Sequence, residues 1–121
     1  MTHKKTLIIG ASTKSDRYAY KAAERLLAND HDIYLLGSRT GELFGKEIVT
    51  EPIPFSDVDT VTMYVSAKNQ EGYYDYIKSL KPRRVIFNPG TENPEFAQHL
   101  ETHGIATEEA CTLVLLATGG Y

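Results

Sequence analysis

The sequence of 121 residues contains one cysteine, no tryptophan and no excess of basic residues. The single cysteine, Cys111, cannot form an internal disulfide, which is typical of proteins from a reducing compartment. Thirteen basic residues stand against sixteen acidic ones, giving a net charge of −3. A nucleic-acid partner is therefore not expected, because that binding depends on a surplus of cations that neutralise phosphates.

No apolar run approaches the roughly 18 residues of a membrane span. The polar residues 1–5 lead directly into a strand-like segment without a signal-peptide pattern. We therefore expect a cytoplasmic protein with no membrane partner. Hydrophobic residues make up 41% of the chain and charged residues 24%, values that are ordinary for a globular protein with a core of its own. The length predicts one domain over residues 1–121.

Short apolar runs alternate with longer amphipathic segments along the chain. Predicted strands cover residues 6–9, 32–36, 60–65, 84–87 and 105–107, and predicted helices cover residues 15–29, 69–80, 93–103 and 108–118. Residues 41–45 are predicted as a loop, and residues 46–50 as a possible short edge strand. The alternation predicts an α/β fold, a single Rossmann-like, doubly wound, mostly parallel five-stranded sheet with helices on both faces.

Helix starts are marked by capping residues. Ser15 or Asp16 is expected to cap the first helix. Asn93 is expected to cap the third helix, with Pro94 at its first position. Because ligands of such sheets bind beyond the carboxyl ends of the strands, the loops that follow the strands are the places to look for a site.

The loop after the first strand is small and polar. Gly10 permits a tight turn, and Ala11 and Ser12 are small enough for backbone amides to approach a phosphate near the helix N-terminus. Thr13 adds a second hydroxyl and Lys14 a cation. The full Gly-x-Gly-x-x-Gly dinucleotide pattern is not present, so a plain strand-to-helix turn remains the alternative.

The loop after the second strand reads Gly37-Ser38-Arg39. NAD-binding proteins usually carry an acidic residue here, which holds the ribose hydroxyls. A cation and a hydroxyl instead suit a phosphorylated ribose, either the 2′-phosphate of NADP or the 3′-phosphate of coenzyme A. The alternative is that Arg39 is an ordinary solvated side chain.

Three further features complete the candidate site. Val65 and Ser66 follow the third strand, and Asn88-Pro89-Gly90 follows the fourth. Both segments suit the wall of a ligand groove, although Pro89 and Gly90 suit a simple turn equally well. Tyr18 follows the first turn closely enough to lean over a bound nucleotide.

No catalytic residue is predicted. Cys111 lies in an apolar stretch and is expected to be buried and inert. His99 and His103 are four residues apart on one predicted helix, but no third ligand is evident, so we expect a solvated helix face and no metal site. Glu108 and Glu109 are expected at the start of the last helix, where its dipole favours acids.

Two apolar groups remain. The tyrosines of the second helix are expected to pack in the core, with stacking on an adenine as the alternative; they are Tyr73, Tyr74 and Tyr76. Residues 113–116 form an apolar stretch that would be the contact surface of a homo-oligomer or a separate protein partner.

Several segments together resemble the small stand-alone CoA-binding domain family, which is related to the N-terminal CoA-binding domain of the succinyl-CoA synthetase α subunit. The resemblance covers nearly the whole chain and is carried by residues 7–12, 25–27, 34–38, 43–46, 59–65, 86–90, 97, 103–105 and 109–111. The chain departs from the family at Gly37-Ser38, where Asn-Pro is usual, and at Tyr64-Val65, where the third strand usually ends in a Phe-Arg type pair.

The resemblance implies a small-molecule nucleotide ligand, coenzyme A or an acyl-CoA, held by a non-catalytic binding or regulatory module. Its adenosine diphosphate end is expected over the loops after the first two strands. The alternatives are an NADP-type enzyme, a component of an acyl-CoA ligase, and an interaction domain with a degenerate pocket. The expected cofactor-binding residues are Gly10, Ala11, Ser12, Thr13, Lys14, Tyr18, Gly37, Ser38, Arg39, Val65, Ser66, Asn88, Pro89 and Gly90.

Overall fold

The computed structural model describes residues 3–121. Within them, seven strands and four helices follow one another in the order β1 (Thr6–Ile9), α1 (Tyr18–Ala28), β2 (Ile33–Leu36), β3 (Gly41–Leu43), β4 (Lys46–Val49), β5 (Thr60–Met63), α2 (Tyr74–Leu80), β6 (Arg84–Phe87), α3 (Pro94–Thr102), β7 (Ala106–Glu109) and α4 (Thr112–Thr118). Two short 3₁₀ turns, Ala67–Asn69 and Glu71–Tyr73, precede α2.

All seven strands form one sheet in the order β3-β4-β2-β1-β5-β6-β7. Every neighbouring pair is parallel except β3 and β4. The strand β1 lies in the middle, with β2 on one side and β5 on the other. The chain therefore builds outward from β1 in one direction and then crosses back, and the crevice at such a reversal is where α/β sheets bind ligands.

The sheet has seven strands rather than the five predicted. The segment predicted as a loop contains β3, which pairs antiparallel with β4 and places β4 inside the sheet instead of at its edge. The two residues between them, Phe44 and Gly45, have φ angles of 51° and 81°. Two positive φ angles in a two-residue connection are the mark of a type I′ hairpin turn. The signal was missed because phenylalanine rarely takes that conformation.

The last strand also differs from the prediction. Glu108 and Glu109 belong to β7 and not to the start of the last helix, which begins at Thr112. Glu108 pairs with Ile86 of β6 in the sheet register, and its Oε1 lies 3.4 Å from a guanidinium nitrogen of Arg84. A buried arginine on the neighbouring strand thus accounts for an acidic residue in a strand.

The helix starts agree with the prediction at one of two places. Helix α3 begins at Pro94, and the Asn93 Oδ1 accepts a hydrogen bond of 3.1 Å from the Phe96 amide, as expected. Helix α1 begins at Tyr18, three residues later than predicted, and its N-cap is Arg17 without a side-chain cap. The capping role predicted for Ser15 or Asp16 is therefore wrong.

Helices cover both faces of the sheet, as predicted. On one face α2 and α3 pack over a core whose buried members include Leu7, Ile9, Val61, Met63, Ile77, Val85, Phe87, Phe96 and Leu100. On the other face α1 and α4 pack over Ile8, Ala19, Ala23, Leu26, Ile33, Leu35 and Ile48. The tyrosines at 73, 74 and 76 are half-buried against the first core. No helix among residues 3–121 has the length and apolar character to span a bilayer.

Candidate functional site

The loops after β1 and β2 meet beyond the carboxyl ends of these strands and form one surface. A Cβ atom placed on Gly37 would lie 2.5 Å from the Ala11 carbonyl oxygen. A Cβ atom on Gly41 would lie 2.8 Å from the Thr13 methyl group. Two glycines thus allow the second loop to touch the first, and the residues predicted in both loops are brought together.

Gly10 connects this surface to the loop after β5. Its φ angle is +99°, and an added Cβ atom would lie 2.9 Å from the Tyr64 carbonyl oxygen. Only glycine fits a backbone of this conformation at such a close approach. The backbones of the loops after β1 and β5 therefore also approach each other closely at the switch point.

The amides of this turn have two different environments. The N–H groups of Gly10 and Ala11 both donate to the Leu36 carbonyl oxygen, at 2.8 and 3.0 Å. Those two amides are therefore occupied by the protein itself. Within residues 3–121, the amides of Ser12 and Thr13 have no hydrogen-bond acceptor, so they are the donors that the turn offers to a ligand.

Hydrogen bonds within the first loop fix the conformation of the residues that follow this turn. The Ser12 Oγ accepts a hydrogen bond of 3.1 Å from the Lys14 amide, and the Arg17 amide donates to the Lys14 carbonyl at 3.0 Å. The Lys14 side chain is exposed. The loop therefore presents two open amides and one ammonium group ahead of the N-terminus of α1, a combination that suits an anion.

The second loop adds a guanidinium group to the same edge. Ser38 and Arg39 are exposed, and Arg39 forms no ion pair with any residue that the structure describes. A cation without an acid beside it has its full charge available for an anionic ligand. The guanidinium can bind phosphate with two parallel hydrogen bonds.

Tyr18 is the first residue of α1, and 65% of its surface is exposed. The ammonium group of Lys21 lies 5.2 Å from the centre of its ring. The exposed ring follows the first loop directly along the chain. It offers a flat face on which a base can stack.

The loop after β6 is built differently, because its first side chain points inward. Asn88 is 2% exposed. Its Nδ2 donates to Thr62 Oγ1 at 2.7 Å and to the Met63 carbonyl at 2.8 Å, and its Oδ1 accepts from the Thr112 amide at 2.9 Å. Asn88 thus joins β5, β6 and α4, while Pro89 and Gly90 beside it are exposed.

A second buried network underlies the loops after β5 and β6. Gln70 is fully buried and its Nε2 donates to the Val65 and Thr91 carbonyls, both at 2.8 Å. Its Oε1 accepts from Asn93 Nδ2 at 3.0 Å. Val65 and Ser66 are half-buried above this network. Sequence reasoning missed Gln70, since a lone glutamine in a polar segment carries no signal of burial.

Two reactive groups lie near these loops. Burial raises the pKa of Tyr64 to about 12. Its hydroxyl is buried and has no hydrogen-bond partner of good geometry among the described residues, although it lies near the hydroxyls of Thr62 and Thr112, which bond each other at 2.8 Å. Cys111 is the N-cap of α4 and is half-buried, so the prediction of a buried cysteine is wrong in degree. The residue before it, Ala110, is still bonded to the sheet, because its amide donates to the Phe87 carbonyl.

Comparison with known proteins identifies the family. Residues 4–117 match the CoA binding domain family. The chain belongs to this CoA binding domain family. No curated protein is significantly similar to the chain.

Solved structures share the fold of this chain. The crystal structure of an uncharacterized protein is 49% identical, covers 100% of both chains and superimposes with a TM-score of 0.98. A hypothetical protein from Pyrococcus horikoshii OT3 is 23% identical, with 93% of this chain and 80% of that one covered and a TM-score of 0.83. A Thermus thermophilus protein is 21% identical, with 98% and 91% covered and a TM-score of 0.82. The last two share the Rossmann-like fold with this CoA binding domain.

Proposed function

We propose that this CoA binding domain holds coenzyme A or an acyl-CoA across the loops after β1 and β2, as a binding or regulatory module without catalysis of its own. The observation that carries the proposal is the pair of open amides at Ser12 and Thr13. They lie at the switch point of a chain that belongs to the CoA binding domain family.

The pyrophosphate would lie against the first loop. Ser12 and Thr13 supply the two backbone donors, and Lys14 supplies a positive charge nearby. Hydrogen bonds from backbone amides to an anion are stronger than those to a neutral acceptor. Gly10 and Ala11 take part through shape, because their amides are already bonded to Leu36.

The nucleoside would extend towards the second loop. Arg39 and Ser38 would bind the 3′-phosphate, and Gly37 keeps their loop in contact with the first one. Tyr18 would stack on the adenine. The pantetheine arm would then pass the exposed Pro89 and Gly90 and the half-buried Val65 and Ser66, with Asn88 holding that wall in place from beneath.

A binding role fits the side chains that face the crevice better than a catalytic one. At a pKa of about 12, the Tyr64 hydroxyl stays protonated near neutral pH and does not serve as a general base. The hydroxyls of Thr62 and Thr112 bond each other, and the Thr62 hydroxyl also accepts a hydrogen bond from Asn88. We also propose a cytoplasmic location and a regulatory protein partner that recognises the bound acyl group.

Calorimetry with nucleotide-free protein tests the proposal. Coenzyme A, dephospho-coenzyme A, NADP and NAD are titrated into the wild type and into Arg39→Ala. We expect coenzyme A to bind and NAD not to bind, and we expect the variant to lose about tenfold in affinity for coenzyme A, since one charge-assisted contact is lost. Dephospho-coenzyme A, which lacks the 3′-phosphate, should bind both proteins equally.

Two results would overturn the proposal. Tighter binding of NADP than of coenzyme A would favour the alternative in which Arg39 binds the 2′-phosphate of NADP. Equal weakening of coenzyme A and dephospho-coenzyme A by Arg39→Ala would show that Arg39 does not contact the 3′-phosphate. An exposed control, Arg17→Ala, removes a cation from the end of the same loop and should leave the preference between these two ligands unchanged.

A further inference from the structure

The end of α3 carries two histidines that the proposed ligand site does not use. His99 lies in the last turn of the helix and His103 is its C-cap. The centres of their rings are 4.7 Å apart, and the ring planes are inclined at 54°. The residues Glu95, Gln98, His99 and Thr102, together with Tyr74 of α2, line an open groove of about 470 Å³ beside them.

The hydrogen bond of His103 indicates which of its ring nitrogens carries the proton in the neutral ring. Its Nδ1 lies 2.9 Å from the His99 carbonyl oxygen, which also accepts a hydrogen bond of 2.6 Å from Thr102 Oγ1. Because a carbonyl oxygen only accepts, Nδ1 carries a proton. The neutral ring then keeps its lone pair on Nε2. An Nδ1–H group bonded to a carbonyl is the usual support of a histidine that binds a metal through Nε2.

The spacing of the two rings suits a shared ion. A metal at 2.0–2.1 Å from an imidazole nitrogen lies roughly 3.2 Å from the centre of that ring. Two ring centres 4.7 Å apart then subtend an angle of about 95° at the metal. This angle falls between the octahedral and tetrahedral values, so the separation of the ring centres is compatible with one shared ion.

The charge around the pair also favours a cation. The charged side chains of α3 other than histidine are Glu95 and Glu101, and the helix contains no lysine or arginine. The negative end of the helix dipole lies at its C-terminus, where the two rings are. Attraction of a cation therefore adds to the ligand geometry.

We propose that His99 and His103 form an exchangeable site for a divalent ion of the late first transition row, with Ni²⁺ and Zn²⁺ as representatives. Imidazole nitrogen favours these ions over Mg²⁺ and Ca²⁺. In the described residues, no three side chains of His, Cys, Asp or Glu are grouped so that they would share one ion. The protein thus supplies two ligands, water fills the other positions, and the site exchanges its ion readily.

Titration of the tag-free full chain with Ni²⁺ tests this site, with His99→Gln and His103→Gln as the deciding variants. Each variant should bind Ni²⁺ at least about tenfold more weakly, because a single imidazole is left. The exposed His3→Gln serves as a matched control and should bind as the wild type does. Binding that is unchanged in both variants, whether weak or tight, would overturn the proposal, as would an equal loss in His3→Gln.

A second measurement separates this site from a disturbed fold. Excess Ni²⁺ should raise the melting temperature of the wild type, since a ligand that binds the native state stabilises it, and should leave His103→Gln unchanged. Both proteins should melt together in the presence of a chelator. A metal-induced rise that persists in His103→Gln would place the ion elsewhere.

Discussion

The loops after β1 and β2 leave polar groups at the surface, whereas the loops after β5 and β6 bury theirs and bond them to one another. Ser12 and Thr13 have open amides, and Arg39 has no acidic partner in the described part of the chain. Asn88 and Gln70, by contrast, are 2% and 0% exposed and bonded at both ends of their amide groups.

This difference indicates two roles for the loops at the carboxyl ends of the strands. Open donors cost little in water and remain available to an anion. Buried polar groups are costly unless every partner is present, and they then fix the positions of the elements they join. The first pair of loops is therefore suited to contact a ligand, and the second pair to hold the wall on which the ligand would rest.

The largest effect is expected at Asn88. Asn88→Ala removes three hydrogen bonds and leaves Thr62, Met63 and Thr112 each short of a buried partner. We expect the free energy of unfolding to fall by roughly 2–4 kcal/mol, as measured by urea denaturation.

The same substitution at an exposed asparagine provides the control. Asn69 donates one hydrogen bond of 3.0 Å to Ser66 Oγ. Asn69→Ala should therefore cost less than about 1 kcal/mol. Equal losses in the two variants would contradict the view that the loop after β6 is a scaffold.

Gly37 tests whether the two open loops act as one surface. In Gly37→Ala the new Cβ atom would meet the Ala11 carbonyl oxygen at 2.5 Å, and a backbone atom cannot rotate away. We expect a loss of roughly 1–3 kcal/mol in unfolding free energy and weaker coenzyme A binding, since the first loop must shift. Unfolding curves and calorimetry on the same samples measure both effects.

Gly72→Ala is the matched control for this prediction. Nothing lies within 4 Å of a Cβ atom placed on Gly72, and its φ angle is outside the left-handed region. The unfolding free energy of Gly72→Ala should not fall, and a rise of up to about 1 kcal/mol is expected, because alanine restricts the unfolded chain. If Gly37→Ala were as mild as this control and bound coenzyme A normally, the two loops would be independent of each other.

Residue patterns were sufficient to predict the fold class because the central strands are buried runs. The strands β1, β5 and β6 are buried at every position, and such runs between helical segments indicate a parallel sheet. The edge strands were predicted less well for the opposite reason: β3 was predicted as a loop, and β7 was predicted at 105–107 instead of Ala106–Glu109. In β3 and β7, Glu42 and Glu109 are exposed, and edge strands of this kind lack a continuous apolar signal.

For the candidate site, the sequence indicated which loops lie at the carboxyl edge but not which atoms remain open there. Ala11 and Ser12 look alike as small residues after a strand. Only the sheet geometry brings the Ala11 amide to Leu36 and leaves that of Ser12 free. The side chain of Asn88 turns inward for a similar reason, since Thr62 and Thr112 are distant in sequence and adjacent in the fold.

The smallest expected effect lies at the opposite, amino edge of the sheet. The Lys4 amide donates to His31 Nδ1 at 3.0 Å, and burial, together with the charge of Lys4, lowers the pKa of His31. The folded protein then binds this proton less readily than the unfolded chain. The stabilisation is complete above pH of about 6.5 and is lost as the pH falls below that value.

Unfolding free energies at pH of about 7.5 and 5.5 measure this effect in the wild type and in His31→Gln. The wild type should lose more stability than the variant over this interval, because only the wild type takes up the proton on unfolding. The pKa values of Asp32 and Asp59 are also lowered, but those carboxylates act at a lower pH. Equal losses would show that His31 contributes nothing. Coenzyme A affinity is measured for both proteins at the same two pH values. If the ratio of the two affinities does not change with pH, His31 at the amino ends of the strands affects stability only, and ligand binding depends on the loops at the carboxyl ends.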